Sequence, residues 1–348
     1  MFCSPNDTIP LNWLRLQSHL RGLGHQLDLG APPRQFAGGL GNLNFLIDFD
    51  GRPCVLRRPP FGEIPRGAND MAREHRVLSR LWEAYPLAPR SLLYSADVSV
   101  LGAHFLVMDY WPGVVIGGTL AAGLDSRQVG PALSAMLVRL LVSLHAVDTA
   151  PIGLADLGRP AGFLQRACEG WAHRAHEASD ASNGPLVTEL ASWLKMRLVP
   201  GGAPTLLHCD FKLDNIVLDA RTLEPNAVLD WDMATRGDPL FDLATLLSYW
   251  TEAGDPASMQ ALGQMPTAQP GFWTRAQVLS AYAAQTGRDV SNFLFYRVLA
   301  LFKLAVVFLQ LGARHRAGTT ADERYARLSA LGHDILDFTH EVAHGRAH

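Results

Sequence analysis

The sequence predicts an α+β protein in two parts, a small β-rich part over residues 1–111 and a larger helical part over 112–348. Two observations carry this expectation. Short runs of strand-like composition, separated by Gly, Pro and Asp, cluster ahead of Pro112-Gly113. Behind that pair, most segments repeat their apolar residues at helical spacing. The length of 348 residues is ample for two such parts, and 48% hydrophobic with 18% charged residues is the composition of a globular chain.

In chain order, residues 12–23 read as an amphipathic helix, which Pro32-Pro33 closes off. Gly38-Gly39-Leu40-Gly41-Asn42 reads as a turn among the first strands, 44–49 and 54–58, and Asp50-Gly51 is a hairpin signal. Residues 69–84 have a helical pattern, with Met71, Val77, Leu78, Leu81 and Trp82 on one side. Strands follow at 91–94 and 104–110, and the hinge falls at Trp111, Pro112 and Gly113. The larger part has helices over 131–146, 161–177 and 185–198. Residues 204–239 are irregular, apart from a small hairpin of Ile216-Val217-Leu218 with Ala227-Val228-Leu229. Helix returns over 241–250 and after Trp273, while 254–270, rich in Gly, Pro, Ala and Gln, reads as a flexible patch. The apolar stretch 298–311 contains Lys303 and Gln310. It falls short of the about 20 apolar residues of a membrane span and reads as a core helix.

Composition narrows the function. A formal net charge of -3 argues against broad affinity for nucleic acid or an anionic membrane. The four cysteines are scattered without a CxxC pair, which argues against a zinc ribbon or a thioredoxin-like site. The first residues are polar, without the apolar core of a signal peptide, so the expected location is a reducing cytoplasm. No feature assigns an oligomeric state. Charge is unevenly spread: residues 51–90 hold eight Arg against four acids, whereas 205–242 hold eight acids against three Lys or Arg. This pattern fits phosphate-facing arginines and metal-binding carboxylates.

The chemistry concentrates in Leu207-His208-Cys209-Asp210-Phe211-Lys212-Leu213-Asp214-Asn215 and, further on, Val228-Leu229-Asp230-Trp231-Asp232. Phosphoryl transfer needs a carboxylate to orient and deprotonate a hydroxyl, and oxygen ligands to hold Mg²⁺. HxDxxxxN followed by a DW pair resembles the catalytic and metal loops of the aminoglycoside phosphotransferase family, relatives of the protein kinases. The resemblance runs over nearly the whole chain and implies a bilobal kinase-like fold. It places Asp210 on the catalytic base, His208 on the loop-bracing histidine, Asn215 on a metal-binding amide and Asp230 on the metal-binding carboxylate. Gly237-Asp238-Pro239 and Asp242 resemble the family's GDPxxDLA stretch, whose second Asp anchors the catalytic loop. Cys209 stands where the family usually has glycine.

On the nucleotide side the family's usual lysine is absent, since the only lysines are Lys195, Lys212 and Lys303. Arg57, in Val55-Leu56-Arg57-Arg58, takes its place in this resemblance, with Arg58 as the fallback and Glu74 as the ion-pair partner. Gly39 and Gly41 would bring backbone N–H groups to phosphates. Met108, Asp109 and Tyr110 would line an adenine site. The cofactors implied are ATP, or GTP, with Mg²⁺. The resemblance is greatest to the subgroup associated with acyl-CoA dehydrogenases, which implies as acceptor a hydroxyl of a hydroxyacyl thioester or a similar small molecule. Arg297, Lys303 and Arg314 are candidate cations toward such an anionic substrate. A nucleotide-binding scaffold without turnover is the competing reading, motivated by the missing lysine. A metallohydrolase would want several histidines beside these acids, where the sequence places His208 alone.

Overall fold

The computed structural model describes residues 2–4, 6–37, 41–62, 69–316 and 324–347. The chain divides into two units. The first comprises Met1–Val114, Asp148–Ala155 and Ile216–Ala234, and the second Val115–Val147, Asp156–Asn215 and Thr235–His348.

The first unit is built on a sheet of six antiparallel strands: β1 (Leu27–Asp28), β2 (Arg34–Gln35), β3 (Leu43–Phe49), β4 (Arg52–Arg58), β5 (Ser91–Ser95) and β6 (Phe105–Asp109). The order is β1-β3-β4-β6-β5, with β2 also on β3. Asp50 and Gly51 turn the β3–β4 hairpin at φ 52° and 77°, the left-handed pair a two-residue turn requires. On β3 the alternate residues Phe45, Ile47 and Phe49 are buried. They pack in one apolar cluster with Leu16 and Leu20 of α1 (Trp13–Gly22) and with Phe105 and Val107 of β6. Each such side chain contributes about 1.5–3 kcal/mol by burial. Helix α2 (Met71–Leu81) starts at Asp70, whose side chain accepts from the Arg73 N–H. A short helix, α3 (Val98–Leu101), precedes β6.

The hairpin β8 (Ile216–Leu218) and β9 (Pro225–Val228) belongs to this unit although it lies far along the chain. Val114 exchanges backbone bonds of 2.8 Å with Leu218, and Val228 N–H donates to the Leu87 carbonyl at 2.7 Å. Gly113 lies so close that a Cβ there would be 2.3 Å from the Leu218 carbonyl oxygen, which excludes any other residue without a backbone shift.

The second unit contains α4 (Ser126–His145), α5 (Phe163–Ala178), α6 (Gly184–Met196), α7 (Pro239–Tyr249), α8 (Ala257–Leu262), α9 (Arg275–Thr286), α10 (Phe293–Arg316) and α11 (Arg324–Ala343). A two-stranded ribbon joins β7 (Thr205–Leu207) to β10 (Thr235–Gly237). Helix α10 packs on α11, α7 and α5. By length and composition α4 and α10 would suffice to cross a membrane; 72% of the apolar window of α10 is buried in this fold.

Three expectations need correction. Helix α4 begins at Ser126, ahead of Pro131, because the Asp125 side chain caps Arg127 N–H; Pro131 lies inside the helix, where it contributes no N–H donor. Residues 254–270 are ordered around α8, with Met259, Met265 and Thr267 buried. The segment 204–239 is less irregular than its composition suggests, because β7 and β10 pair across it.

Candidate active site

In the first unit the acidic and basic candidates meet around Arg57. Successive strand residues point to opposite faces. Arg57 therefore turns toward α2 and the 230–232 turn, while Arg58 turns away. Arg57 donates from Nε to Glu74 Oε2 at 2.8 Å and from Nη2 to Asp230 Oδ1. A longer contact of 3.4 Å runs from Nη1 to Asn44 Oδ1, across the strand pair. Glu74 is fully buried, in the stripe of α2 that also buries Met71, Val77, Leu78 and Leu81. Its second oxygen accepts from the Trp231 backbone N–H at 3.2 Å. Burial pushes the Glu74 carboxyl up, to about 7, against the Arg57 guanidinium, which pulls it down. Burial works against the Arg57 charge, but Asp230, Glu74 and Asp232 outweigh it and hold the guanidinium more firmly protonated than usual.

Asp230 sits at φ 69° in the left-handed region, which Asp tolerates better than most residues. Its side chain is 34% exposed, so it combines an anchored oxygen with access to solvent. Asp232 is buried and accepts from Asn42 Nδ2 at 3.4 Å, and its backbone carbonyl accepts from Arg73 at 3.2 Å.

Arg58 is spent elsewhere. It donates to the Leu101 carbonyl at 3.0 Å and stacks over the Phe61 ring at 3.8 Å. Gly39 lies outside the described residues. Gly41 is exposed beside Asn69, which donates to Asn42 Oδ1 at 2.9 Å. Met108 is buried in β6, and the Asp109 carboxylate accepts from Arg52 Nη1 at 3.1 Å and from Arg90 N–H at 3.2 Å. Asp109 is therefore tied into the sheet end. Tyr110 lies 6.1 Å from the Phe36 ring.

In the second unit, His208, Asp210 and Asn215 share one loop that Asp242 organises. Helix α7 begins at Asp238, which caps Leu240 N–H at 3.0 Å, with Pro239 at the first helical position. Gly237 precedes it because a Cβ would press to 2.7 Å on the Phe163 ring. One turn in, the fully buried Asp242 accepts from His208 N–H at 2.7 Å and Cys209 N–H at 2.6 Å. His145 Nε2 approaches the same carboxylate at 3.3 Å, and its Nδ1 meets the Tyr282 hydroxyl at 2.7 Å. Burial would raise the Asp242 carboxyl, but His145, His208 and the backbone donors hold it below its ordinary value. Cys209 adopts φ 67°, the conformation glycine would take without strain. The buried Lys303 ammonium donates to the Cys209 carbonyl at 2.7 Å. Lys303 is thus a brace for the loop and is unavailable as the substrate-facing cation the sequence offered. Arg297 is mostly withdrawn from solvent, and burial lowers its guanidinium to about 10. The Arg314 side chain lies outside the described residues.

Asp210 stands at the end of this construction. Its Oδ1 accepts from the Tyr249 hydroxyl at 2.7 Å and its Oδ2 from Asn215 Nδ2 at 3.2 Å; Lys212 Nζ lies 3.5 Å from Oδ2. Burial would raise its carboxyl, yet Lys212, Lys303 and the Tyr249 hydroxyl hold it below the ordinary value. Asp210 is consequently an ionised carboxylate with a hydroxyl already on it. Asn215 also donates to the Asp210 backbone carbonyl at 2.8 Å. Both bonds use the amide nitrogen. The Asn215 amide oxygen in the second unit and the Asp230 carboxylate in the first are each of the oxygen type that a hard divalent cation such as Mg²⁺ takes.

Asp242 and Lys303 thus order the 208–215 loop in the second unit, while Arg57 gathers Glu74 and Asp230 in the first. A family model described as the phosphotransferase enzyme family matches residues 33–278. The chain belongs to this family. A relative from Gallus gallus, acyl-CoA dehydrogenase family member 11, is 32% identical over 83% of this chain and 38% of its own length. The phosphotransferase thus spans well under half of that relative. Thiamine kinase from Escherichia coli is 26% identical over 86% of this chain and 88% of the relative. Among solved structures, a Ralstonia eutropha protein provisionally called an aminoglycoside phosphotransferase superposes with a TM-score of 0.78 at 24% identity. It covers 97% of this chain and 99% of its own. A thermostable aminoglycoside phosphotransferase, crystallised with AMP-PNP and hygromycin B, gives 0.62 at 17% identity, covering 90% and 95%. These likenesses establish the kinase-like fold for this member of the phosphotransferase enzyme family.

Sequence reasoning missed Tyr249, His145 and the bracing role of Lys303. A signal existed for Tyr249. It lies seven residues after Asp242 on α7, hence on the same helix face. His145 carried no such signal, because only tertiary packing brings α4 to Asp242.

Proposed function

We propose that this phosphotransferase moves the γ-phosphoryl group of ATP to the hydroxyl of a small molecule, with Asp210 as catalytic base. The observation that carries the reading is the 2.7 Å bond from the Tyr249 hydroxyl to Asp210 Oδ1, the bond an acceptor alcohol would make. In this mechanism Asp210 orients the acceptor hydroxyl and takes its proton as the oxygen attacks phosphorus in line. Asn215 holds the Asp210 carboxylate in place. Asn215 and Asp230 would hold Mg²⁺, which when bound would neutralise phosphate charge. Arg57, fixed by Glu74, offers its guanidinium to the nucleotide phosphates in place of the family's lysine.

The acceptor class we favour is a hydroxyacyl thioester. The relatives named acyl-CoA dehydrogenase family members 10 and 11 support it, with identities of 28–32% over most of this chain. Thiamine is the second candidate, because the thiamine kinase matches along nearly its whole length.

The test measures ADP release from ATP, or GDP release from GTP, with Mg²⁺ against 3-hydroxyacyl thioesters, thiamine and hygromycin B. Turnover on a thioester that disappears in Asp210→Asn supports the reading. Nucleotide binding without turnover on any alcohol would favour a scaffold. A thermal-shift titration separates the metal role: the Mg²⁺-dependent rise with ATP should vanish in Asp230→Ala. Full activity in that variant removes Asp230 as a ligand.

A further inference from the structure

Outside the motifs considered so far, the sequence contains His340-Glu341-Val342-Ala343-His344. His340 lies in the last turn of α11 and His344 in the turn directly after it, with the two imidazole rings 4.3 Å apart. Helix α6 packs alongside α11 and contributes Glu189 to the same place. Glu189 Oε1 is 3.0 Å from His340 Nε2 and 3.7 Å from His344 Nε2. One ligand atom from each of the three residues falls within a 4.8 Å cluster.

We propose that Glu189, His340 and His344 form a binding site for a divalent transition-metal ion of the zinc class, remote in sequence from the phosphotransfer motifs. Two imidazoles and a carboxylate are the donor types zinc prefers, and hard cations such as Mg²⁺ take oxygen sets instead. The outer contact of His344 suits ligation, whereas that of His340 must rearrange. His344 Nδ1 bonds to the His340 carbonyl at 2.9 Å, which makes Nδ1 the protonated nitrogen and leaves the Nε2 lone pair for a metal. His340 presents Nε2 to Glu189, while its Nδ1 faces the Arg346 guanidinium at 3.0 Å and the Glu341 carboxylate at 3.7 Å. Metal binding at Nε2 therefore puts the proton on Nδ1, with Glu341 as its acceptor and Arg346 giving way.

The H-E-x-x-H spacing also occurs in zinc hydrolases, where the glutamate serves as general base. Here Glu341 lies on the Nδ1 side of His340 and is held by Arg346 through bonds of 2.7 and 2.9 Å. It does not face the side where the three ligands converge. The cluster is accordingly a binding site that ties α6 to the end of α11.

The experiment is calorimetric titration of the chelator-stripped full chain with Zn²⁺, in excess Mg²⁺ and without nucleotide. Wild type should bind one equivalent that Mg²⁺ does not displace, with a rise in thermal midpoint. Loss of an outer-sphere partner already costs about 10–100-fold in affinity. His344→Ala and Glu189→Gln should each lose at least tenfold, and His340→Ala more. The exposed positions of His344 and Glu189 keep those two variants folded, which circular dichroism checks. Binding unchanged in His344→Ala and Glu189→Gln, or abolished instead by Asp230→Ala, overturns the assignment. Absence of Zn²⁺ binding by wild type overturns it as well.

Discussion

Replacing Asp242 with Asn tests whether one buried carboxylate holds the catalytic loop. The carboxylate receives two backbone N–H bonds, at 2.7 and 2.6 Å, and the His145 ring at 3.3 Å. Asn keeps the volume but has one acceptor oxygen. Its NH₂ group then opposes either His208 N–H or Cys209 N–H, leaving a buried donor unpaired. A hydrogen bond to a charged group contributes about 1.5–3 kcal/mol, and an orphaned buried donor costs about 1–3 kcal/mol. Part of this is offset because the charge is no longer desolvated. We expect a net loss of about 3 kcal/mol. The lowered carboxyl adds a pH signature. Its contribution is present above the unfolded value of 3.8 and lost as pH falls through the lower folded value, so wild type and variant converge in acid. Urea titrations followed by tryptophan fluorescence, across pH, read both effects. Because Cys209 neighbours Asp210, the displaced loop should also lower kcat by about 100-fold. A loss under about 1 kcal/mol with full turnover refutes Asp242 as the loop's anchor.

Other outcomes follow from the same geometry. Arg57→Met leaves Glu74 buried without its cation and should destabilise the first unit by about 3–5 kcal/mol, whereas Arg57→Met with Glu74→Gln should recover much of that loss; equal losses in both would dismiss the pair. Glu74 has the opposite pH sign to Asp242. Its folded value of about 7 lies above the unfolded 4.5, so its contribution is full below 4.5 and lost as pH rises through 7. The stability of wild type relative to Glu74→Gln should thus fall across pH 4.5–7, and a rise across that window would mean that the Arg57 attraction outweighs burial. Tyr249→Phe removes the hydroxyl on Asp210 and should change KM for the acceptor or kcat while the Mg²⁺-dependent ATP shift persists; unchanged kinetics would make the bond incidental.

Much of the chemistry was legible in the chain. The HxDxxxxN and DWD spacings are local, and local spacing decides which polar groups share a loop. Glu74 could be named through the family resemblance alone, as an acid on the first helix after the strand that carries Arg57. The choice between Arg57 and Arg58 followed only from strand register, since adjacent residues face opposite ways and pairing sets which face meets α2. Other contacts were invisible beforehand because they join distant segments. The β8–β9 hairpin packs with the first unit through Val114 and Leu87, Lys303 reaches the Cys209 carbonyl from α10, and His145 reaches Asp242 from α4. The sequence by itself determined the α+β class and set out the candidate catalytic residues, because periodicity and motif spacing are short-range properties. Tertiary structure alone decided which cation meets Glu74 and Asp230, what braces Asp210, and that Glu189 joins two histidines at the end of α11, because those depend on packing between residues the chain keeps apart.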